Sequence, residues 1–130
     1  MAAALVEKVA RKSRGRAART IQRQAGAFRQ QLTRAIHADA TAYGRVARAL
    51  RQRRPRHVVP ALRRAIQVPE QVAATARRVV RLVRRLTPLS SAVWRSDLTC
   101  AIQLAHASIA GSRALAHANR QYLRTWLRRR

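Results

Sequence analysis

Cysteine, glycine and long apolar runs are scarce in this sequence. Cys100 is the only cysteine, which excludes an internal disulfide and a cysteine-rich metal site and fits a reducing compartment such as the cytoplasm. No apolar run approaches the roughly 20 residues that span a bilayer, so we expect no membrane segment. Glycine occurs four times, and no stretch shows the period-two alternation with β-branched residues that is typical of strands. These absences predict an all-α protein.

Acidic residues are also scarce. The 130 residues include 29 lysines and arginines against four acids, a formal net charge of +25, which predicts attraction to polyanions of any kind. The arginines are spread along every segment on the polar sides of helices, so an ordinary solvated surface explains them equally well. With 48% hydrophobic residues, the chain can bury a real core, and we expect one domain over residues 1–130.

Apolar periodicity and breakers divide the chain into helical segments. We expect an all-α antiparallel bundle in which the helices that carry Asp39 and Asp97 pack against each other across a homodimer. The Thr87–Ser91 segment reads as a loop. The predicted segments are a short helix from Ala2 to about Lys12, a long helix from about Ala18 to Gln52, a breaker region over Arg53–Pro60, a short helix over Ala61–Val68, a helix opened or kinked by Pro69, and a last helix from about Ala92 toward Trp126.

One carboxylate, Asp39, interrupts the apolar stripe of the long second helix. At about 100° per residue this stripe gathers on one face, and Asp39 falls inside it. A carboxylate that faces a core is costly unless it is paired. We therefore expect either a buried ion pair with an arginine or a functional acid. The stripe comprises Ile21, Phe28, Leu32, Ala35, Ile36, Tyr43, Val46 and Leu50.

The last helix shows the same anomaly. Asp97 belongs to its inward face, which also carries small residues that would let another helix approach closely. His106 and His117 share the arginine face, and we expect both to be exposed to solvent. The inward face comprises Ala101, Leu104, Ala105, Ser108, Ser112, Leu115, Asn119 and Leu123.

Three segments in this order resemble the cyclodeaminase/cyclohydrolase family of folate enzymes. They are Asp39-Ala-Thr-Ala-Tyr43 on a long helix, Val68-Pro-Glu-Gln-Val-Ala73 at a helix start, and Ser96-Asp97 before an alanine-rich helix with Gly111 and Asn119 downstream. Formiminotetrahydrofolate cyclodeaminase and methenyltetrahydrofolate cyclohydrolase belong to that family. No single motif is specific, but their order and spacing cover about residues 2–123.

The resemblance implies a tetrahydrofolate derivative as substrate, with no metal and no further cofactor. The one-carbon unit of such a folate is a cationic amidinium, bound between helices of a dimer. Asp39 and Asp97 would stabilise the cation and transfer protons. Ser96 and Asn119 would bind the substrate, although a helix N-cap for Ser96 and helix packing for Asn119 explain them equally well. The arginines would attract the acidic, often polyglutamylated, tail of the folate.

Departures from the family pattern leave activity open. Family members usually carry a Pro-Gly-Gly-Gly-Ser type segment before the part that corresponds to Ala2, and the sequence lacks it, so we expect part of the folate site to be missing. Ala38 stands where an acid commonly precedes the first aspartate. Two alternatives to an enzyme remain: a basic helical protein that binds nucleic acid or assembles with partners, and a relative that keeps the bundle only as a dimerisation scaffold.

Overall fold

The computed structural model describes residues 1–52 and 55–129, which form four α-helices and no strand. This confirms the all-α prediction. Two single turns of 3-10 helix, Thr87–Leu89 and Ala92–Trp94, connect the last two helices. No helix in the described ranges is long and apolar enough to cross a membrane. The helices are α1 (Ala2–Lys12), α2 (Arg16–Arg51), α3 (Pro55–Leu86) and α4 (Arg95–Arg128).

The three long helices form an antiparallel layer with α3 in the middle. On one side of α3, Thr75 donates a hydrogen bond to Gln31 of α2 at 3.4 Å, whereas Ala65 packs against Ala42. On the other side, the amide of Asn119 in α4 donates to the carbonyl of Ala65 at 2.9 Å. Because α3 separates its neighbours, α2 and α4 do not form one of the extensive helix pairs. Within the described residues of one chain these two helices therefore do not pack extensively on each other, and their expected packing across a homodimer stays a prediction.

The short helix α1 covers only one half of this layer. It packs against α2, α4 and α3, in decreasing order of contact, because its apolar side chains recur on one face. The main core lies beneath it and is built from valine, leucine, isoleucine and alanine of all four helices. Among its fully buried side chains are Val6, Val9, Ile21, Val79, Val83 and Leu86.

The other half of the layer has smaller core clusters and no fourth helix. Ala42, Ala65 and Val68 form one cluster, and Ala49, Val58 and Leu62 form another. These clusters hold the far ends of α2 and α3 together. On the side of the layer that α1 covers, this half is exposed. The candidate site lies at the edge of the exposed region, next to α1.

Helix α3 is longer and more continuous than the sequence predicts. The expected breaker over Arg53–Pro60 falls partly outside the described residues, and from Pro55 onward the chain is helical. Pro55 suits a first helical position because its fixed φ is helical and its missing N–H would be unpaired there anyway. Pro60 and Pro69 lie inside the helix. The prediction that Pro69 begins a separate helix is wrong, for a reason that involves Asn119 and is given below.

The face assigned to the third helix is confirmed. Val79, Val83 and Leu86 are buried, while the arginines at positions 77, 78, 81, 84 and 85 are exposed. The inward face expected for the last helix is confirmed at Ala101, Ala105 and Ser112, which are buried, but not at Leu115, which is 55% exposed. His106 and His117 are exposed as expected. The 3.6-residue period of an α-helix therefore identified the buried sides correctly where the neighbouring helix lies in the same chain.

Candidate functional site

A cavity of about 450 Å³ opens beside the N-terminal end of α1. The first residues of α1 form one wall, and the long helices α2, α3 and α4 form the others. Its volume falls in the usual range for small-molecule sites, which are mostly apolar with a few polar groups. The lining residues are Met1, Ala2, Leu32, Ala35, Ile36, Asp39, Val68, Pro69, Val72, Ala76, Val79, Leu104, Ala105, Ser108, Ser112 and Leu115.

Asp39 lines this cavity but is exposed, which corrects the expectation that it faces a core. The reason is the length of α1, whose N-terminal end reaches only the part of α2 near Leu32 and Ala35. Beyond that point no helix within residues 1–52 and 55–129 covers the apolar stripe of α2, so Ile36 is 68% and Tyr43 75% exposed. The periodicity that placed Asp39 among apolar residues was right, and the burial inferred from it was wrong.

Among the described residues of the cavity wall, Asp39 is the only one with an ionisable side chain; Met1, which carries the terminal amino group of the structure, lines the cavity as well. The other three acids each pair with a base: Glu7 with Arg29 at 2.7 Å, Asp97 with Lys8 at 3.1 Å, and Glu70 with Arg120. Within residues 1–52 and 55–129, the side chain of Asp39 has no hydrogen bond or ion pair. The predicted buried ion pair is therefore absent, and the carboxylate can accept hydrogen bonds from a ligand.

Asp97 lies away from the cavity, in the first turn of α4. Its partner Lys8 also lies over the Trp94 ring, with the Lys8 Nζ atom 5.2 Å from the ring centroid. The side chain of Asp97 is 27% exposed, so it is half-buried and points inward only in part. A carboxylate near a helix N-terminus is favoured by the helix dipole. Together these contacts hold α1 against α4. Neither Asp39 nor Asn119 takes part in them.

Ser96 is exposed and lies at the second position of α4, whereas Trp94 occupies the N-cap position without a side-chain cap. The alternative reading of Ser96 as an N-cap is therefore wrong. Ser96 does not line the cavity. Its predicted contact with substrate has no counterpart in the geometry of a single chain and stays a prediction.

Asn119 compensates for a proline. Pro69 has no N–H, so the carbonyl of Ala65, four residues earlier, loses its normal helical donor. The side-chain amide of Asn119 donates to that carbonyl at 2.9 Å in a partly buried position. This bond lets α3 continue through Pro69 and joins α3 to α4. The packing interpretation of Asn119 is confirmed, while its predicted role in substrate binding stays a prediction.

Ser108 and Ser112 are polar groups of the cavity wall that were not predicted as site residues. Both project from α4 toward the same space as Asp39, Ser112 buried and Ser108 half-buried. Their place on the inward face of the last helix was visible in the sequence, where small residues suggested helix packing instead. Their hydroxyls can donate and accept hydrogen bonds.

The cavity wall contains no arginine among the residues that the structure describes. A basic rim for an acidic substrate tail therefore does not form part of the wall of a single chain. Across the described ranges, no three histidine, cysteine or carboxylate side chains come close enough to hold a metal ion. The chemistry available at this site is that of one carboxylate, two hydroxyls and an apolar surround.

Comparison with models of known protein families gives a match. The sequence model of the formiminotransferase-cyclodeaminase family matches residues 1–125, nearly the whole chain. The matched residues include α1, α2, α3, all but the last three residues of α4, and the entire cavity wall. No curated protein matches the sequence.

Proposed function

Because the chain belongs to the formiminotransferase-cyclodeaminase family, we propose that it binds a reduced folate carrying a one-carbon unit in the cavity between α2, α3 and α4. The pteridine ring of a folate is flat and largely apolar on its faces. Apolar walls from Leu32, Val68, Val72 and Leu104 suit such a ring. Ser108 is available to its polar edge.

The observation that carries this proposal is the unpaired state of Asp39. In a chain with 29 basic residues and four acids, three acids are paired and the fourth lines the cavity without a basic partner. A methenyl or protonated formimino group is a cationic amidinium. A carboxylate that is not neutralised by an ion pair attracts that group, and a low local dielectric would strengthen the attraction once the cavity is closed to water.

Asp39 would then transfer protons during the reaction. In cyclodeamination a folate nitrogen attacks the formimino carbon, a new C–N bond forms, and the bond to the departing nitrogen breaks with release of ammonia. The leaving nitrogen needs a proton, which the carboxyl group of Asp39 would supply after taking one from the attacking nitrogen. In hydrolysis of a methenyl-folate, the same group would deprotonate the attacking water and return the proton to the nitrogen that departs.

A second copy of the chain would complete the site. The uncovered face around the cavity carries Ile36, Tyr43 and Leu115, which are 68%, 75% and 55% exposed. Large apolar side chains grouped around an opening are typical of interfaces. A homodimer through this face would cover them, exclude water from the cavity and bury the charge of Asp39 against the substrate. A catalytic role for Asp97 would then depend on what the second copy brings near it.

The test of the ligand site is a titration of the chain with methenyltetrahydrofolate, followed by its near-ultraviolet absorbance. The variant Ser108→Phe places a ring in the cavity and should abolish binding while the helical circular dichroism is kept. The matched control Thr99→Phe adds the same ring to an exposed position of the same helix, outside the cavity wall, and should bind as the wild type does. Equal affinity for wild type and Ser108→Phe would show that the ligand, if bound, lies elsewhere.

The test of the homodimer is sedimentation velocity. Tyr43→Glu places a charge on the uncovered face and should shift the chain toward monomer. Val93 is similarly exposed, at 77%, but lies in the 3-10 turn away from the cavity, so Val93→Glu should leave the dimer intact. A wild-type chain that remains monomeric at high concentration would refute the proposed interface. That result would not bear on the proposed ligand site.

A further inference from the structure

A basic furrow runs along the contact between α2 and α3. It consists of three adjoining depressions of about 440, 200 and 350 Å³. The first and second share Ala38 and Arg64, and the second and third share Arg45 and Arg64. Because neighbouring depressions have walls in common, they form one continuous furrow with Arg64 at its centre.

The furrow and the proposed folate cavity open on opposite faces of the α2–α3 contact. At 100° per residue, Arg45 in the furrow lies roughly 160° around the helix from Tyr43 on the uncovered apolar face. The wall of the furrow contains no acid, since none of the four carboxylates lines any of its three parts. The two share the apolar wall residues Leu32, Ala35, Val68 and Val72, but none of the basic residues of the furrow lines the cavity.

The charge of the furrow is uncompensated. Its basic side chains are all exposed, and the three ion pairs found within residues 1–52 and 55–129 involve other residues. Arg64 donates one hydrogen bond to Gln67 at 3.2 Å, which orients its guanidinium and leaves further donors for a ligand. Like charges held side by side repel one another, and an anion between them relieves that repulsion. The basic residues of the furrow are Arg34, His37, Arg45, Arg48, His57 and Arg64.

The dimensions and polarity of the furrow fit an extended polyanion. From Arg34 to Arg48, α2 rises about 21 Å at about 1.5 Å per residue, the length over which one strand of a duplex passes roughly six phosphates at 3.4 Å per step. Guanidinium groups bind phosphate oxygens with two parallel hydrogen bonds. Glutamine and threonine side chains, among them Gln31, Thr41 and Gln71, also line the furrow and are common phosphate donors.

We propose that the α2–α3 furrow binds the phosphodiester backbone of nucleic acid without reading its sequence. Phe28 is the only aromatic residue of the furrow wall, and it is half-buried against the main core, so base stacking has no platform there. An anionic membrane is the weaker candidate because the exposed apolar side chains that would enter it, Ile36 and Tyr43, lie on the opposite side of α2.

The experiment measures fluorescence anisotropy of a labelled random-sequence duplex over a series of salt concentrations. Arg45→Gln/Arg64→Gln removes two charges from the furrow. The control Arg77→Gln/Arg81→Gln removes two charges from exposed positions of α3 that line none of the three depressions. We expect the slope of log K against log salt to become shallower by about 1.8 in the furrow variant, since each lost phosphate contact contributes about 0.9.

The control variant should change that slope little. Equal changes in the two double variants would overturn the proposal, because the whole surface would then act as a diffuse charge. Preference for one duplex sequence over another at equal salt would also overturn it. So would binding to phosphatidylserine vesicles that depends on Arg45 and Arg64 while duplex binding does not.

Discussion

Replacing Asp39 by asparagine removes the charge of the cavity and keeps the size of the side chain. General acid–base groups contribute roughly 100-fold or more to turnover, which corresponds to about 2.7 kcal/mol at 1.36 kcal/mol per factor of ten. We therefore expect Asp39→Asn to lower turnover of formimino- or methenyl-folate by about two orders of magnitude or more. The assay is the appearance or loss of the methenyl-folate absorbance.

Affinity should fall much less than turnover in the same variant. Two unit charges about 4 Å apart attract by about 1 kcal/mol in water and about 4 kcal/mol at an effective dielectric constant of 20. Asp39 is exposed in the single chain, so the lower figure applies there, and the loss of affinity should be about tenfold at most. A dimer that covers the cavity would move the loss toward the higher figure.

Stability should hardly change in Asp39→Asn. Breaking a buried ion pair costs about 3–5 kcal/mol, but the described structure gives Asp39 no basic partner and leaves it exposed. Exposed substitutions away from such contacts stay within about 0.5 kcal/mol, so the melting temperature should be nearly that of the wild type. Turnover within a factor of three of the wild type would refute the role given to Asp39, and a large melting loss would refute its unpaired state.

The remaining predictions concern the contacts between helices. Asn119→Ala should cost about 1–3 kcal/mol of unfolding free energy, because the Ala65 carbonyl is left without a donor. In a Pro69→Ala background the new N–H supplies that donor, and a double-mutant cycle by urea denaturation should show a coupling of about 1 kcal/mol; additive effects would contradict the compensation. Asp97→Asn loses a partly exposed ion pair with Lys8, so we expect a cost below about 1 kcal/mol and turnover close to wild type; a loss equal to that of Asp39→Asn would place Asp97 in the chemistry.

Much of the fold followed from apolar periodicity and the few breakers. The predicted bounds of α1, α2 and α4 agree with the structure within a few residues. The prediction that Pro69 opens a new helix is wrong because the local sequence shows the missing N–H of Pro69 but not the donor that replaces it. The replacement comes from Asn119, 50 residues later, and its hydrogen bond forms only once α3 and α4 are packed. Tertiary contacts of this kind override local propensity.

The candidate site was only partly predictable, for a related reason. Periodicity correctly placed Asp39 beside Ile36 and Tyr43, but burial depends on which helix covers a face, and α1 is too short to reach it. Asp97 shares an inward pattern with its neighbours and yet pairs with Lys8, because α1 lies across that end of α4. Ser108 gave no signal of its own, since a small residue on an inward face suits packing and ligand binding equally.

The most direct test of the proposed function is a crystal structure of the chain with a stable methenyl-folate analogue. The proposal predicts the analogue between α2, α3 and α4, with its cationic one-carbon centre within about 4–6 Å of the Asp39 carboxylate, the range in which opposite charges act strongly on each other. A ligand bound at Asp97 and Lys8, or an empty cavity at ligand concentrations that saturate other binding assays, would contradict it.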